Sequence, residues 1–315
     1  GGFLVSYGWR VETMNYLVTV PPAFYQMYVM GGFGAEQLPA IYIGVAATAI
    51  LTLILYPPAR IYRLRAVRPI FNAPSEEASA IDEQARLLAR TALFREPFFG
   101  ALQVSVQWFW GLAVLTLGFY AGEVLLDVPM TARHYLAPAY CSFFSAPPAF
   151  IINYLLISRI VAGELDRPAF RSLPDQSESV RVPGLRVKLV LALAACAWYP
   201  IMILGYNFYA SQTGLLEMES ALGHVVTVVS MASIVVGVIV WLLARELGQA
   251  IDGVNSVISG MSSGNLESRA PVLSADELGG MAENVNSLAA GFRAIIVSIR
   301  VTANSLMSRA QGLNT

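Results

Sequence analysis

Only eight of this chain's charged side chains are scattered along 172 of its 315 residues. The other 33 crowd into three blocks, twelve in 57–98, ten in 159–188 and eleven in 245–315. Long apolar stretches lie between the blocks. Charged residues make up 13% of the chain, where an ordinary soluble domain carries about a quarter. This pattern excludes one large water-soluble core and predicts an all-α membrane protein, since a helix satisfies its own backbone polar groups in hydrocarbon. The net charge of −1 excludes a global basic field for nucleic acid.

Six stretches are long and apolar enough to cross about 30 Å of hydrocarbon. They lie near 13–31, 39–56, 99–121, 135–158, 188–210 and 223–244, and residues 1–244 read as a six-span membrane sensor domain. The first is the weakest, with Asn15, Gln26 and Pro21-Pro22. Kinks are expected at Pro21/Pro22, Pro147/Pro148 and Pro200. Eighteen of the 20 basic residues lie in the three charged blocks, so the positive-inside rule places both termini in the cytoplasm. The opposite loops, near 32–38, 122–134 and 211–222, hold one basic residue between them, Arg133. They are too short for a folded ligand-binding domain, so a stimulus is read in the membrane, at its surface or from the cytoplasm. Trp9, Tyr206, Phe208, Tyr209 and Trp241 fit interfacial belts.

A short motif repeats on one side. Arg60-Ile61 and Arg68-Pro69-x-Phe71 recur as Arg159-Ile160 and Arg167-Pro168-x-Phe170. The spacing suggests repeated hairpins. A second match, PPAFYQMY at 21–28 and PPAFIINY at 147–154, has a different offset and would pair spans running in opposite directions.

After 244 the apolar pattern turns periodic. Ile251, Val254, Ile258 and Met261 form one helical stripe that ends near Gly264, a residue suited to a left-handed cap. An extended connector with Leu266 follows, and then a capping box, Ser274-x-x-Glu277, with Asp276 also favourable at a helix start. Leu278, Met281, Val285, Leu288, Phe292 and Ile295 make a heptad seam. Two such helices cannot close a core alone. A parallel pair of them makes a four-helix bundle, so a homodimer is expected.

Residues 245–297 resemble the HAMP domain of bacterial transmembrane receptors. Ala250-Ile251-x-x-Val254-x-x-x-Ile258-x-x-Met261-x-x-Gly264-Asn265-Leu266 is similar to its first helix and terminating glycine. Asp276-Glu277-Leu278-Gly279-x-Met281-x-x-x-Val285-Asn286-x-Leu288 is similar to its second-helix signature. The resemblance implies a signal relay in a bacterial inner membrane, with Leu266 and either Val272 or Leu273 packing from the connector into the bundle. The family usually has proline where Ala250 stands; without it, nothing stops the helix of span 6 running on into the tail. Ile295, Ile299, Thr302 and Leu306, with Leu313 beyond, continue the seam. Residues 298–315 resemble the start of the signalling coiled coil of methyl-accepting chemotaxis receptors. That resemblance implies a kinase or adaptor partner engaged by sequence beyond Thr315, and the natural N-terminus is expected upstream of Gly1. The alternatives are the membrane anchor of a class III adenylate cyclase or histidine kinase, or a small transporter.

No glycine-rich phosphate loop, zinc spacing or nucleophile triad occurs, so neither catalysis by this chain nor a cofactor is expected. Cys141 and Cys196 read as small buried hydrophobes. His134 and His224 read as interfacial, with a metal, haem or pH site as the alternative. Gln103, Gln107, Asn153 and Asn207 lie within spans and read either as interhelical hydrogen-bonding groups or as the lining of an intramembrane ligand pocket. No buried acid or base is expected inside a span, apart from Glu12 near one end. Residues Glu76–Arg95 read as a solvated linker helix.

Overall fold

The computed structural model describes residues 2–171, 173, 182–212 and 218–312. Leu313 and part of the third opposite loop, 213–217, lie outside them. The described residues are helical with no strand. α1 (Gly2–Met14) passes through a π turn (Asn15–Thr19) into α2 (Val20–Gly31). Pro21 and Pro22 have no N–H for the carbonyls of Leu17 and Val18, and their rings crowd the preceding turn. That turn widens, and the Val20 N–H donates to the Asn15 carbonyl five residues back. The expected break at the proline pair is therefore a π turn just before it.

α2 ends at Gly32, which is left-handed at φ +64°. Arg133 donates to the Met30 carbonyl at 2.7 Å and the Val29 carbonyl at 3.3 Å. It thus satisfies the free end of α2 and meets the negative end of its dipole. The one basic residue on the sparsely charged side has a structural reason to be there.

α3 (Leu38–Arg63), α4 (Arg68–Asn72), α5 (Ser75–Ala78), α6 (Glu83–Leu126), α7 (Ala132–Leu165) and α8 (Pro168–Arg171) follow. Then come α9 (Leu185–Gln212), α10 (Met218–Ser262) and α11 (Glu277–Gly312). Six helices are long and apolar enough to cross a membrane, which makes this a multi-pass membrane protein by length and composition. Five of them, α3, α6, α7, α9 and α10, hold expected spans. The sixth is α11, in the tail, and not the expected first span. Residues 13–31 belong instead to the interrupted α1–π–α2 run of 30 residues, about 45 Å long.

α7 is the central helix. Of its most apolar window 78% is buried, against 22–28% in α3, α6, α9 and α10, whose outer faces are left for lipid. α3 and α6 cross closely because Ala40 and Gly44 face Gly118 and Gly122. A Cβ on Gly118 would overlap the Gly44 backbone, and one on Gly122 would overlap Ala40. Small residues let helix backbones approach in lipid, where no hydrophobic force drives them together. Gly118→Ala is therefore expected to destabilise the fold by about 1–3 kcal/mol. Gly163→Ala, whose Cβ would meet open space, should be neutral in the same detergent-denaturation titration.

The arginine-rich end is not made of solvated linkers. α6 begins at Glu83, and Ala89, Leu93 and Phe94 are buried in one cluster with Ile70, Ile160 and Phe170. The reading of 76–95 as a solvated helix is thus corrected: its apolar residues close a cap over the membrane helices. Both copies of the Arg-Pro-x-Phe motif start short helices there. Phe71 and Phe170 are 6.4 Å apart between ring centroids, and the Arg167 guanidinium lies 4.1 Å from the Phe71 ring centre. The repeat marks two places that pack on each other.

Candidate functional site at the junction of tail and membrane helices

α10 runs unbroken for 45 residues, about 68 Å, from the last expected span into the tail. Ala250 keeps the N–H that a proline would lack, so the ladder continues across this position. The helix ends where the sequence places its stop. Gly264 is left-handed at φ +87°. The Asn265 N–H bonds to the Gly260 carbonyl at 2.8 Å, and the Gly264 N–H to the Met261 carbonyl at 3.0 Å. These two bonds are the Schellman closure.

The start of α11 differs from the expected capping box. Asp276, not Ser274, is the cap. Its Oδ1 accepts from the Leu278 N–H at 3.1 Å and from the Ser274 hydroxyl at 2.5 Å. Gly279 must be glycine, since a Cβ there would overlap the Ser274 carbonyl. Glu277 does not fold back on its own helix. Its Oε2 accepts from the Leu185 N–H at the start of α9. Glu277 therefore caps another helix, one of the candidate membrane spans.

Lys188, on the first turn of α9, completes the junction. Its Nζ lies 2.6 Å from Glu246 Oε1 on α10 and 2.5 Å from Asp276 Oδ2. The lysine side chain is 3% exposed and the Asp276 side chain 0%. Tyr154 of α7 offers its ring face at 5.3 Å. Burial alone would push the Asp276 carboxyl up. The Lys188 ammonium and the bonds from Ser274 and Leu278 outweigh it and hold the carboxyl below its ordinary value. One cation thus ties together the start of α9, the membrane-to-tail helix α10 and the first turn of α11. A compact ammonium on a flexible stem suits such a three-way contact better than a planar guanidinium.

Within one chain the tail packs on Val257, Ala270, Ala282 and Ala289, with Met261, Val272 and Val285 against them. Val272, rather than Leu273, points from the connector into this small core. Val254 is buried, and Leu266 and Leu278 are half-buried, as is Met281. Ile251, Ile258, Leu288, Phe292 and Ile295 are exposed at 45–56%. An apolar stripe therefore remains without a partner in the single chain.

The polar residues of the spans do not converge on one pocket. Gln107 alone of the four lines a cavity of about 150 Å³ between α2, α3, α6 and α7, and its Nε2 donates to Thr52 at 3.0 Å. Gln103 accepts from Arg63. Asn153 donates to its own helix at Ala149, 2.8 Å away. Asn207 is buried on α9, away from that lining. These contacts fit the reading of Gln103, Gln107 and Asn153 as interhelical and intrahelical hydrogen-bonding groups. The histidines are separate too: His134 stacks on Phe33 and accepts from the Thr131 N–H, whereas His224 meets Tyr25 at 2.6 Å. Among the described residues no group of three metal-ligating side chains occurs.

A second buried charge cluster lies just outside the expected spans, at the arginine-rich ends of α3 and α6. Arg63 grips Glu96 with two hydrogen bonds, at 2.9 and 3.0 Å, and Tyr7 donates to the same carboxylate at 2.9 Å. Arg60 pairs with Glu12 at 2.8 Å. Sequence reasoning also missed the role of Lys188. The available signal was its rarity, since it is the only lysine beside 19 arginines. No protein-family model, curated protein or solved structure matches the chain.

Proposed function

We propose that the chain is a dimeric transmembrane signal transducer, with residues 245–297 acting as a HAMP-type relay beneath a membrane sensor. The observation that carries this reading is the Lys188–Glu246–Asp276 junction. It joins the second helix of the tail to two membrane helices, so a shift of α9 relative to α10 changes the seat of α11 directly. The unpartnered stripe from Ile251 to Ile295 supplies the dimer contact, and a second copy packed in parallel completes a four-helix bundle. Two packings of such a bundle separated by a few kcal/mol make a switch. In this reading both termini are cytoplasmic, residues 1–244 form the sensor, α11 lies outside the membrane despite its apolar window, and the output is taken up by a module engaged beyond residue 297.

Cysteine cross-linking in native membranes tests the dimer. Leu288→Cys and Phe292→Cys are expected to form disulfide-linked dimers rapidly on mild oxidation. Ala290→Cys, on the opposite face of α11, should react at least tenfold more slowly. Equal rates on the two faces would sink the parallel bundle.

A further inference from the structure

A groove on the surface of the membrane region lies between α1 and α3 at the arginine-rich end, with a volume of about 840 Å³. Its walls are apolar and largely uncovered. Trp9, Leu17 and Leu53 are 70–75% exposed, with Tyr16 and Ile61 beside them. Its lower end is charged. Arg60 lies against α1, where Gly8 gives it room, and is neutralised by Glu12 at 2.8 Å. Arg68, at the first turn of α4, lines the same end, is exposed and pairs with no described carboxylate. The groove therefore carries one unmatched positive charge at the end of an apolar trough. From Leu53 to Arg60 it runs about 10 Å along α3.

We infer that this groove is a binding site for an anionic glycerophospholipid. One acyl chain lies along Leu17 and Leu53, and the phosphate sits at Arg68. Charge complementarity selects this occupant. A zwitterionic lipid brings its own cation to the phosphate and gains less from Arg68, whereas an anionic headgroup leaves its phosphate charge for the arginine. Basic residues near a bilayer surface each contribute about 1 kcal/mol toward anionic lipids. That corresponds to a preference of about fivefold from one arginine. The inference rests on the membrane-spanning reading but not on the relay, so the failure of either leaves the other standing.

Trp9 reports on the groove. The full chain is reconstituted in bilayers mixing brominated phosphatidylglycerol with unlabelled phosphatidylcholine, and in the converse mixture. The quenching due to Trp9 is taken as the difference from Trp9→Phe. Phosphatidylglycerol is expected to be preferred about fivefold. Arg68→Gln should bring the preference near one, Arg68→Lys should keep most of it, and Arg65→Gln, outside the groove lining, should leave it unchanged. Equal quenching by the two lipids, or a preference indifferent to Arg68→Gln, would overturn the assignment. So would a Trp9 that neither lipid quenches, which would mean that another protein surface covers the groove.

Discussion

Lys188→Met is expected to destabilise the seating of the tail by about 3–5 kcal/mol, the usual cost of leaving buried charge without its partner. The substitution keeps most of the side-chain volume and removes the ammonium. Two carboxylates then face each other across the junction, and the Asp276 side chain is 0% exposed, so water cannot replace the lost cation. Amide hydrogen exchange over the first turns of α11 should accelerate by two orders of magnitude or more. Adding Asp276→Asn should return part of the loss, because the two residues act as a pair and their effects are not additive. The pH dependence has a definite sign. Asp276 sits below its ordinary value in the folded chain. Its contribution is therefore complete at neutral pH and is lost as pH falls through that lowered value, below about 4. Exchange at the start of α11 should be flat from pH 8 to 5, once corrected for intrinsic rates.

Glu96→Ala should be comparably severe, at about 3–5 kcal/mol by denaturant titration of the whole chain. Glu96 is 2% exposed and holds both the Arg63 fork and the Tyr7 hydroxyl. Its loss takes the two-pronged acceptor from Arg63, which keeps Gln103, and removes the carboxylate to which the Tyr7 hydroxyl donates. Glu12→Ala removes a similar distance on paper, 2.8 Å to Arg60. The Glu12 carboxylate is more open, at 24% side-chain exposure against 2% for Glu96, and takes one hydrogen bond where Glu96 takes three, so the effect should be smaller in free energy. Equal effects from the two substitutions would mean that the cap at this end is wetter than its geometry implies.

The contrast between these two pairs shows what could be read from residue order and what could not. The long apolar runs and the charge blocks led directly to the five helices that hold expected spans, because length and hydrophobicity are local properties. Gly264 announced the end of α10, and the absence of proline at Ala250 announced its continuity, for the same reason. The seam from Leu288 to Ile295 is a helical period, and the structure leaves it uncovered in the single chain. The failures are all three-dimensional. Ser274 and Asp276 are both good caps, and only the placement of Lys188 decides between them. Glu277 fits a local capping box but reaches a helix that begins 92 residues earlier. Residues 76–95 look solvated because their charges are visible in the sequence while the surface covering Ala89 and Leu93 is not. Gln103, Gln107, Asn153 and Asn207 share a polarity but not a cavity: Gln103 and Gln107 sit one turn apart on one face of α6 yet meet Arg63 and Thr52 respectively, and Asn153 and Asn207 lie on other helices.

The central claim is that the Lys188 junction passes the state of the membrane helices to the tail. The most direct measurement is the oxidation rate of Leu288→Cys dimers in native membranes, with Lys188 intact and with Lys188→Met, at matched expression. If the junction sets the packing of the two tails, the methionine variant changes that rate at least fivefold, while Leu288→Cys continues to outpace Ala290→Cys. An unchanged rate would contradict the account, because the tail would then pack without reference to α9.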